Sequence, residues 1–204
     1  MYSVIIISGL ILGTLLRLVI NKISLKLNPT EENKKNNFFD YLVVIVTCTL
    51  ILISFFKFGI SLLFLKAIFL DCILIVASFI DFKHQIIPNY IVIITLIIGI
   101  VFIFIGDITI LNSFMGMILG GGILFLLAFV PNALGGGDIK WMFALGSFLG
   151  AQKVLTAIFL AFIFAAVISM VLLICKIKGR KDYIPFGPFL AMGCFVSFHI
   201  IFLL

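Results

Sequence analysis

Apolar runs long enough to cross a lipid bilayer follow one another along nearly the whole chain. Their polar breaks predict eight helices, over residues 3–20, 41–57, 60–80, 89–105, 110–131, 138–151, 154–175 and 185–204. The sixth of these would be only about 21 Å long, less than the bilayer core of about 30 Å, and two of the breaks are tight. The sequence therefore predicts an all-α, polytopic membrane helix bundle of six to eight transmembrane helices, with eight preferred.

The scarcity of charged side chains excludes a soluble domain of this size. Only 11% of the 204 residues are charged and 64% are hydrophobic, whereas soluble domains carry about 25% charged residues. The net charge of +6 could indicate nucleic acid, but the basic residues lie in short segments between apolar runs, a pattern that orients membrane helices. We therefore expect the lipid bilayer as a partner and no nucleic acid.

The basic residues also predict which face of the membrane each connection occupies. With eight alternating helices, one face receives residues 17–40, 81–89, 131–140 and 176–184. Its basic residues are Arg17, Lys22, Lys26, Lys34, Lys35, Lys83, Lys140, Lys176, Lys178, Arg180 and Lys181. The opposite face has Lys57 and Lys153, with Lys66 near that end of the third helix. By the positive-inside rule, the first face is cytoplasmic.

Residues 21–40, NKISLKLNPTEENKKNNFFD, are the only stretch with the composition of a soluble loop. At about 20 residues the stretch is too short for a separate domain, so it predicts a short cytoplasmic loop. The rest of residues 1–204 would form a single integral membrane domain. Glu31, Glu32 and Asp40 in the loop are expected to be solvated charges.

The four cysteines give no sign of a metal site. Each lies alone in or beside an apolar run, and no CxxC pair exists. The residues are Cys48, Cys72, Cys175 and Cys194. We therefore predict neither a zinc site nor a disulfide framework.

Two aspartates are predicted to lie at cytoplasmic helix ends. Asp81 ends the third helix in SFIDFKHQIIPNY, and Asp138 begins the sixth in LGGGDIKWM. The helix dipole favours the anion of Asp138 and disfavours that of Asp81. If the two helices pack together, the pair can share one proton, as aspartyl protease chemistry requires. One carboxylate would then take a proton from water while the other protonates a scissile carbonyl oxygen. Which aspartate is the base and which the acid stays open, because a coupled pair titrates as a unit.

Glycine and proline residues flank these aspartates. They are Gly135, Gly136 and Gly137 before Asp138, and Pro88 and Asn89 after Asp81. The glycines would let the backbone of a peptide substrate approach closely, and proline is favoured in a first helical turn. On the glycine motif alone, a plain loop with Asp138 as a helix cap is an equally good interpretation.

Asp71, inside the third predicted helix, keeps other functions open. An intramembrane carboxylate is costly, so it indicates either a structural polar contact, which we prefer, or an auxiliary role. A proton relay through Asp71, Asp81 and Asp138 would make the chain a component of a small ion- or proton-coupled transporter. A structural subunit of a secretion or competence machine is a third possibility. A proton relay would spread its carboxylates across the depth of the bilayer, whereas Asp81 and Asp138 are both predicted at the cytoplasmic face of the membrane.

Three motifs resemble those of bacterial type IV prepilin peptidases, in the same order. GGGDIKWMFALGSFLG is similar to the GxGD motif and its helix, DFKHQIIPN to the first aspartate motif, and IPFGPFLAMG to the stretch that opens the last helix. The start, GLILGTLLRLVINKI, is similar to the first span of that family, although Thr14 and Leu16 match less well. The resemblance thus runs the length of the chain.

The resemblance implies a membrane aspartyl endopeptidase in the bacterial cell membrane, with its site facing the cytoplasm. The enzyme would cleave the leader peptide of prepilin or pseudopilin substrates, and no metal or cofactor would be needed. Asp81 and Asp138 would be the catalytic pair. The residues that would bind substrate or shape the site are Gly135, Gly136, Gly137, Lys140, Pro88, Asn89, Pro185 and Gly187.

The sequence departs from the family pattern in one segment. Many members carry a larger first cytoplasmic loop with two CxxC pairs, and these members also N-methylate the newly exposed residue. The corresponding residues 21–40 contain no cysteine. This departure argues against N-methylation and for a peptidase alone.

Overall fold

The computed structural model describes residues 2–29, 37–105, 108–130, 134–177, 179 and 184–200. These residues form seven helices. The helices are α1 (Tyr2–Leu27), α2 (Asn37–Phe58), α3 (Leu62–His84), α4 (Asn89–Ile105), α5 (Ile110–Leu127), α6 (Gly136–Ile174) and α7 (Gly187–His199). No β-strand occurs within the described ranges, which confirms the all-α prediction.

Five of these helices, α1, α2, α3, α5 and α6, are long and apolar enough to cross a membrane. The apolar helices α4 and α7 are shorter, with 17 and 13 residues. Large apolar side chains such as Phe56, Phe104 and Phe159 are exposed on the outer surface, where a bilayer rather than water is their favourable surrounding. The chain is therefore a multi-pass membrane protein, and the predicted bundle of six to eight helices is confirmed.

Helix α6 contains the sixth and seventh predicted helices, joined across a kink, so the described residues form seven continuous helices where eight separate ones were preferred. Its 39 residues would extend about 58 Å at about 1.5 Å per residue. At Gly150, the backbone leaves the helical region, with φ 74 and ψ 174, a conformation that is essentially restricted to glycine. The amide of Ala151 donates to Asn112 Oδ1 of α5 at 3.0 Å. The chain thus breaks near the predicted boundary, but as a kink that α5 supports.

Within residues 1–84, helices α1, α2 and α3 form one compact unit. A Cβ atom on Gly13 of α1 would lie 3.0 Å from Val44 Cα of α2, so a small residue lets the two backbones approach. Ser54 Oγ of α2 donates to Asp71 Oδ2 of α3 at 2.7 Å, and both residues are buried. This hydrogen bond confirms the structural polar contact predicted for Asp71.

The connection between α1 and α2 is shorter than the predicted loop over residues 21–40. Helix α1 continues to Leu27, and α2 begins at Asn37. The polar side chains of Asn21, Ser24 and Asp40 do not interrupt the helices, because they form hydrogen bonds within the unit of residues 1–84. Glu31 and Glu32, predicted to be solvated, lie outside the described residues.

Asp40 is not the solvated charge that its polar surroundings in the sequence predicted. It is buried in the first turn of α2. Its Oδ2 lies 2.8 Å from Arg17 Nη2, and its Oδ1 accepts a hydrogen bond from Asn21 Nδ2 at 3.2 Å. The prediction was wrong because the arginine and the asparagine, one turn apart on α1, replace the water that a buried carboxylate loses.

Within residues 85–204, glycines allow α5 and α6 to cross at close range. A Cβ atom on Gly146 of α6 would overlap the carbonyl group of Gly116 of α5. Next to this crossing, Ser113 Oγ donates to the carbonyl oxygen of Ser147 at 3.0 Å. A Cβ atom on Gly122, by contrast, would have no neighbour within 4 Å, so the glycines of α5 do not all serve packing.

Helix α7 packs against the second half of α6. A Cβ atom on Gly193 would overlap the carbonyl oxygen of Ala157, and Ser197 Oγ donates to the carbonyl oxygen of Lys153 at 2.6 Å. Helices α4 to α7 thus belong to a second compact unit, residues 85–204. The single domain over residues 1–204 stays a prediction.

Candidate functional site

The carboxylate of Asp138 lies in the first turn of α6 and caps that helix. Gly135, the residue before the helix, donates from its N–H to Asp138 Oδ2 at 3.3 Å, and its carbonyl oxygen accepts from the Asp138 N–H at 3.1 Å. Asp138 is only 3% exposed. The cap and a chemical role are compatible, because the helix start both orients this carboxylate and stabilises its anion.

The three glycines before Asp138 have different surroundings. Gly135 is extended, with φ −78 and ψ 144, which any residue can adopt. A Cβ atom on Gly136 would have no neighbour within 4 Å, whereas one on Gly137 would lie 3.2 Å from Ile87 Cβ and 3.4 Å from Ile87 N. Gly137 is therefore the position where the absence of a side chain lets the segment before α4 lie against the start of α6.

Ile87 was not identified from the sequence. It is buried, 4% exposed, in the segment that leads from α3 to α4. An isoleucine beside other apolar residues gives no signal of its own in a chain this hydrophobic. Only the contact with Gly137 shows that it helps to position the helix that carries Asp138.

The start of α4 is bound to the start of α6 by a polar contact. Lys140 Nζ donates to Asn89 Oδ1 at 3.3 Å. Pro88, which is buried, directly precedes Asn89 and α4. The structure therefore brings Asn89 next to Lys140, and the segment with Ile87 and Pro88 next to Gly137, at the start of the helix that carries Asp138.

Asp81 lies in the last turn of α3 and is 3% exposed. Two contacts within the same unit fix this turn. His84 Nε2 and Ser24 Oγ of α1 lie 2.7 Å apart, and the ring of Phe82 packs 5.9 Å from that of Phe39 of α2. The structure thus places Asp81 at a helix end, as its position in the sequence predicted. Asp81 belongs to the unit of residues 1–84 and Asp138 to that of residues 85–204.

Pro185 and Gly187, also predicted site residues, are buried at the start of α7. Phe186 between them precedes the helix, and its ring packs 5.2 Å from that of Phe162 in the second half of α6. This stretch therefore fixes where α7 begins against α6.

The buried ionisable groups at these two helix ends, in the part of the chain that the structure describes, are the carboxylates of Asp81 and Asp138. In the part of the chain that the structure describes, no three His, Cys, Asp or Glu side chains are grouped so that they could hold a metal ion. A buried carboxylate can exchange protons as an acid or a base when it is placed next to a reacting group. Acid–base chemistry is therefore what Asp81 and Asp138 can supply.

Residues 68–170 match the model of a protein family described as the type IV leader peptidase family. The matched region includes Asp81 at the end of α3 and Asp138 at the start of α6. It thus covers both aspartates that the sequence singled out.

Curated relatives with one shared name, prepilin leader peptidase/N-methyltransferase, match most of the chain. The protein from Xanthomonas campestris pv. campestris is 29% identical over 170 residues, which cover 77% of this chain and 57% of the relative. The protein from Legionella pneumophila is 31% identical over 160 residues, which cover 74% of this chain and 55% of the relative. The protein from Bacillus subtilis (strain 168) is 29% identical over 160 residues, which cover 76% of this chain and 63% of the relative. The matched part is thus between half and two thirds of each relative. No solved structure shows significant similarity.

Proposed function

Because this chain belongs to the type IV leader peptidase family, we propose that it is a membrane aspartyl endopeptidase for prepilin-like or pseudopilin substrates. The observation that carries the proposal is the buried carboxylate of Asp138, held in the first turn of α6 inside the matched region. Asp81, buried at the end of α3 in the same region, supplies the second carboxylate.

In this proposal, Asp81 and Asp138 act as one acid–base pair on a water molecule. One carboxylate accepts a proton from water, and the other, protonated, donates to the carbonyl oxygen of the scissile peptide bond. The water oxygen forms a bond to the carbonyl carbon, and the C–N bond breaks once the carboxyl group that took the proton from water has passed it to the leaving nitrogen. Burial supports this role, since two carboxylates away from water favour sharing one proton over carrying two charges.

The residues around Asp138 would position it and leave room for the substrate. Gly135, Gly136 and Gly137 would be approached by the backbone of an extended substrate. The contacts of Ile87 with Gly137 and of Asn89 with Lys140 hold α4 against the start of α6. Pro88 directly precedes Asn89 and α4. Pro185 and Gly187, at the start of α7, stay predicted site residues.

We further propose that both aspartates face the cytoplasm. Lys83 follows Asp81 by two residues, and Lys140 follows Asp138 by two residues. Both lysines belong to the face that the distribution of basic residues assigns to the cytoplasm. Leader peptides would therefore be removed on that side of the membrane.

The proposed activity does not include N-methylation, although the relatives' name does. Only residues 28–36 separate α1 from α2, and none of them is a cysteine. A relay through Asp71 is not part of the proposal either, because its hydrogen bond from Ser54 gives the burial of Asp71 a structural reason.

The proposal is tested with the purified protein, a prepilin-like substrate and isotope-labelled S-adenosylmethionine. We expect a product shortened at its N-terminus, identified by mass and N-terminal sequencing, with no label on the new terminus. A folded protein that leaves such substrates intact would contradict the peptidase activity. Label on the product would contradict only the exclusion of methylation.

Alanine substitutions of Gly136 and Gly137, the two residues directly before Asp138, make a matched pair of variants. Gly137→Ala places a methyl group against Ile87, so the start of α6 must shift by a few tenths of an ångström, whereas Gly136→Ala meets open space. Because small misplacements of catalytic groups are costly, we expect Gly137→Ala to cleave roughly tenfold more slowly than Gly136→Ala. Initial rates of leader removal measure the ratio, and equal rates would contradict the role of Ile87.

A further inference from the structure

An open apolar groove lies among α4, α5 and α6, within the unit of residues 85–204. Its volume is about 690 Å³. The lining includes Leu96 of α4, Gly122 and Phe125 of α5, and Phe143 of α6. Within the described lining, the polar side chains are those of Asn89 and Lys140, which contact each other. The groove is therefore amphiphilic, with one polar end and an apolar remainder.

The polar end of the groove lies where two apolar helices begin. Asn89 is the first residue of α4, and Lys140 lies in the second turn of α6. Tyr90, which is 37% exposed, follows Asn89. Tyrosine and lysine at the ends of apolar helices are typical of the interface between bilayer and water. The polar end is thus at the depth of the lipid headgroups.

The ammonium group of Lys140 has hydrogen-bonding capacity left for a ligand. A lysine ammonium carries three donors, and within the described ranges Asn89 Oδ1, at 3.3 Å, accepts from it. No described carboxylate forms an ion pair with Lys140. An exposed cation with a neutral partner attracts an anion, and the headgroup phosphate of a lipid is the anion available at this depth.

The size of the groove suits a lipid acyl chain. Small-ligand sites, by comparison, measure roughly 300–1,000 Å³. The wall is also open at Gly122, where a Cβ atom would have no neighbour within 4 Å. A narrow, extended hydrocarbon chain can therefore lie along this apolar wall.

We propose that this groove binds an anionic phospholipid, with one acyl chain along the apolar wall and the headgroup phosphate on Lys140. The inference uses only contacts within residues 85–204 and does not depend on the proposed peptidase activity. One lysine near the membrane surface favours an anionic lipid by roughly fivefold. The expected preference for an anionic over a zwitterionic headgroup is therefore of that size.

The test is native mass spectrometry of the full chain in detergent with equal amounts of phosphatidylglycerol and phosphatidylcholine of identical acyl chains. Wild type is expected to retain one phosphatidylglycerol with roughly fivefold preference. Lys140→Gln should retain one lipid without preference, whereas the matched control Lys26→Gln, which removes an exposed lysine of α1, should keep the preference. Gly122→Leu fills the groove and should lose the bound lipid.

Several outcomes would overturn the proposal. They are a wild type without headgroup preference, a preference that survives Lys140→Gln, and a bound lipid that survives Gly122→Leu. If Gly122→Leu does not fold, Ile118→Trp fills the groove from an exposed position of the same helix and carries the same expectation. A photo-crosslinker at position 118 that captures the apolar segment of a protein substrate instead of lipid would assign the groove to the substrate.

Discussion

Replacement of either Asp81 or Asp138 by asparagine is expected to slow leader cleavage by about 10²- to 10⁴-fold, the usual contribution of general acid–base catalysis. An amide has nearly the shape of a carboxylate but neither accepts nor donates the proton that the reaction moves. In Asp138→Asn, the amide oxygen can still accept the hydrogen bond from the Gly135 N–H, so the start of α6 should persist. The loss would then be chemical and not structural.

The control for these two variants is Asp71→Asn, the same chemical change in the same helix as Asp81. Its amide oxygen can accept the hydrogen bond from Ser54, and we expect cleavage within a few-fold of wild type. Substrate and protein are co-expressed, and the mature product is quantified against the level of inserted protein. Full processing by either Asp81→Asn or Asp138→Asn would contradict the proposed mechanism, and loss of cleavage in Asp71→Asn would favour a relay.

A second large effect is expected from Gly146→Ala, at the crossing of α5 and α6. The added Cβ atom would overlap the carbonyl group of Gly116 and lie 2.5 Å from Met117 N. All of these are backbone atoms, so the two helices must separate. Overpacking of this kind typically costs about 1–3 kcal/mol, and we expect the midpoint of thermal unfolding in detergent to fall by roughly 2–12 °C.

Gly122→Ala serves as the matched control, because it adds the same methyl group to α5 in open space. Its midpoint should stay at that of wild type or rise slightly, since alanine favours helix over glycine by about 1 kcal/mol. Equal midpoints for Gly146→Ala and Gly122→Ala would show that the close backbone approach does not stabilise the helix pair.

The architecture was predictable because hydropathy alone determines where a chain can cross a bilayer. The apolar runs located all seven described helices, and the tight break before residue 154 marked the kink at Gly150. The two predicted helices correspond to the two halves of α6 on either side of this kink, but the sequence does not show what supports the kink. Asn112 of α5, 39 residues before Ala151, accepts a hydrogen bond from the amide of Ala151 beside the kink.

Candidate site residues can be picked out of the sequence where their residue type is rare, and not where it is common. An aspartate beside an apolar run stands out in a chain with eight acidic residues, so Asp138 became a candidate, and its role stays a prediction. Ile87 could not be distinguished from its many apolar neighbours, although it positions the start of α6. Asp40 was misjudged because its burial depends on Arg17 and Asn21 of another helix, and a single sequence does not show such contacts.

The central claim, that Asp81 and Asp138 form one catalytic unit, is tested most directly by a double-variant cycle. Rates of leader removal are measured for wild type, Asp81→Asn, Asp138→Asn and the variant that carries both changes. When two groups act as a unit, replacing either one already removes nearly all of their joint contribution to the rate. The double variant should therefore be no slower than the slower single variant. Losses that multiply in the double variant would mean that the two aspartates act independently, which would contradict a shared site.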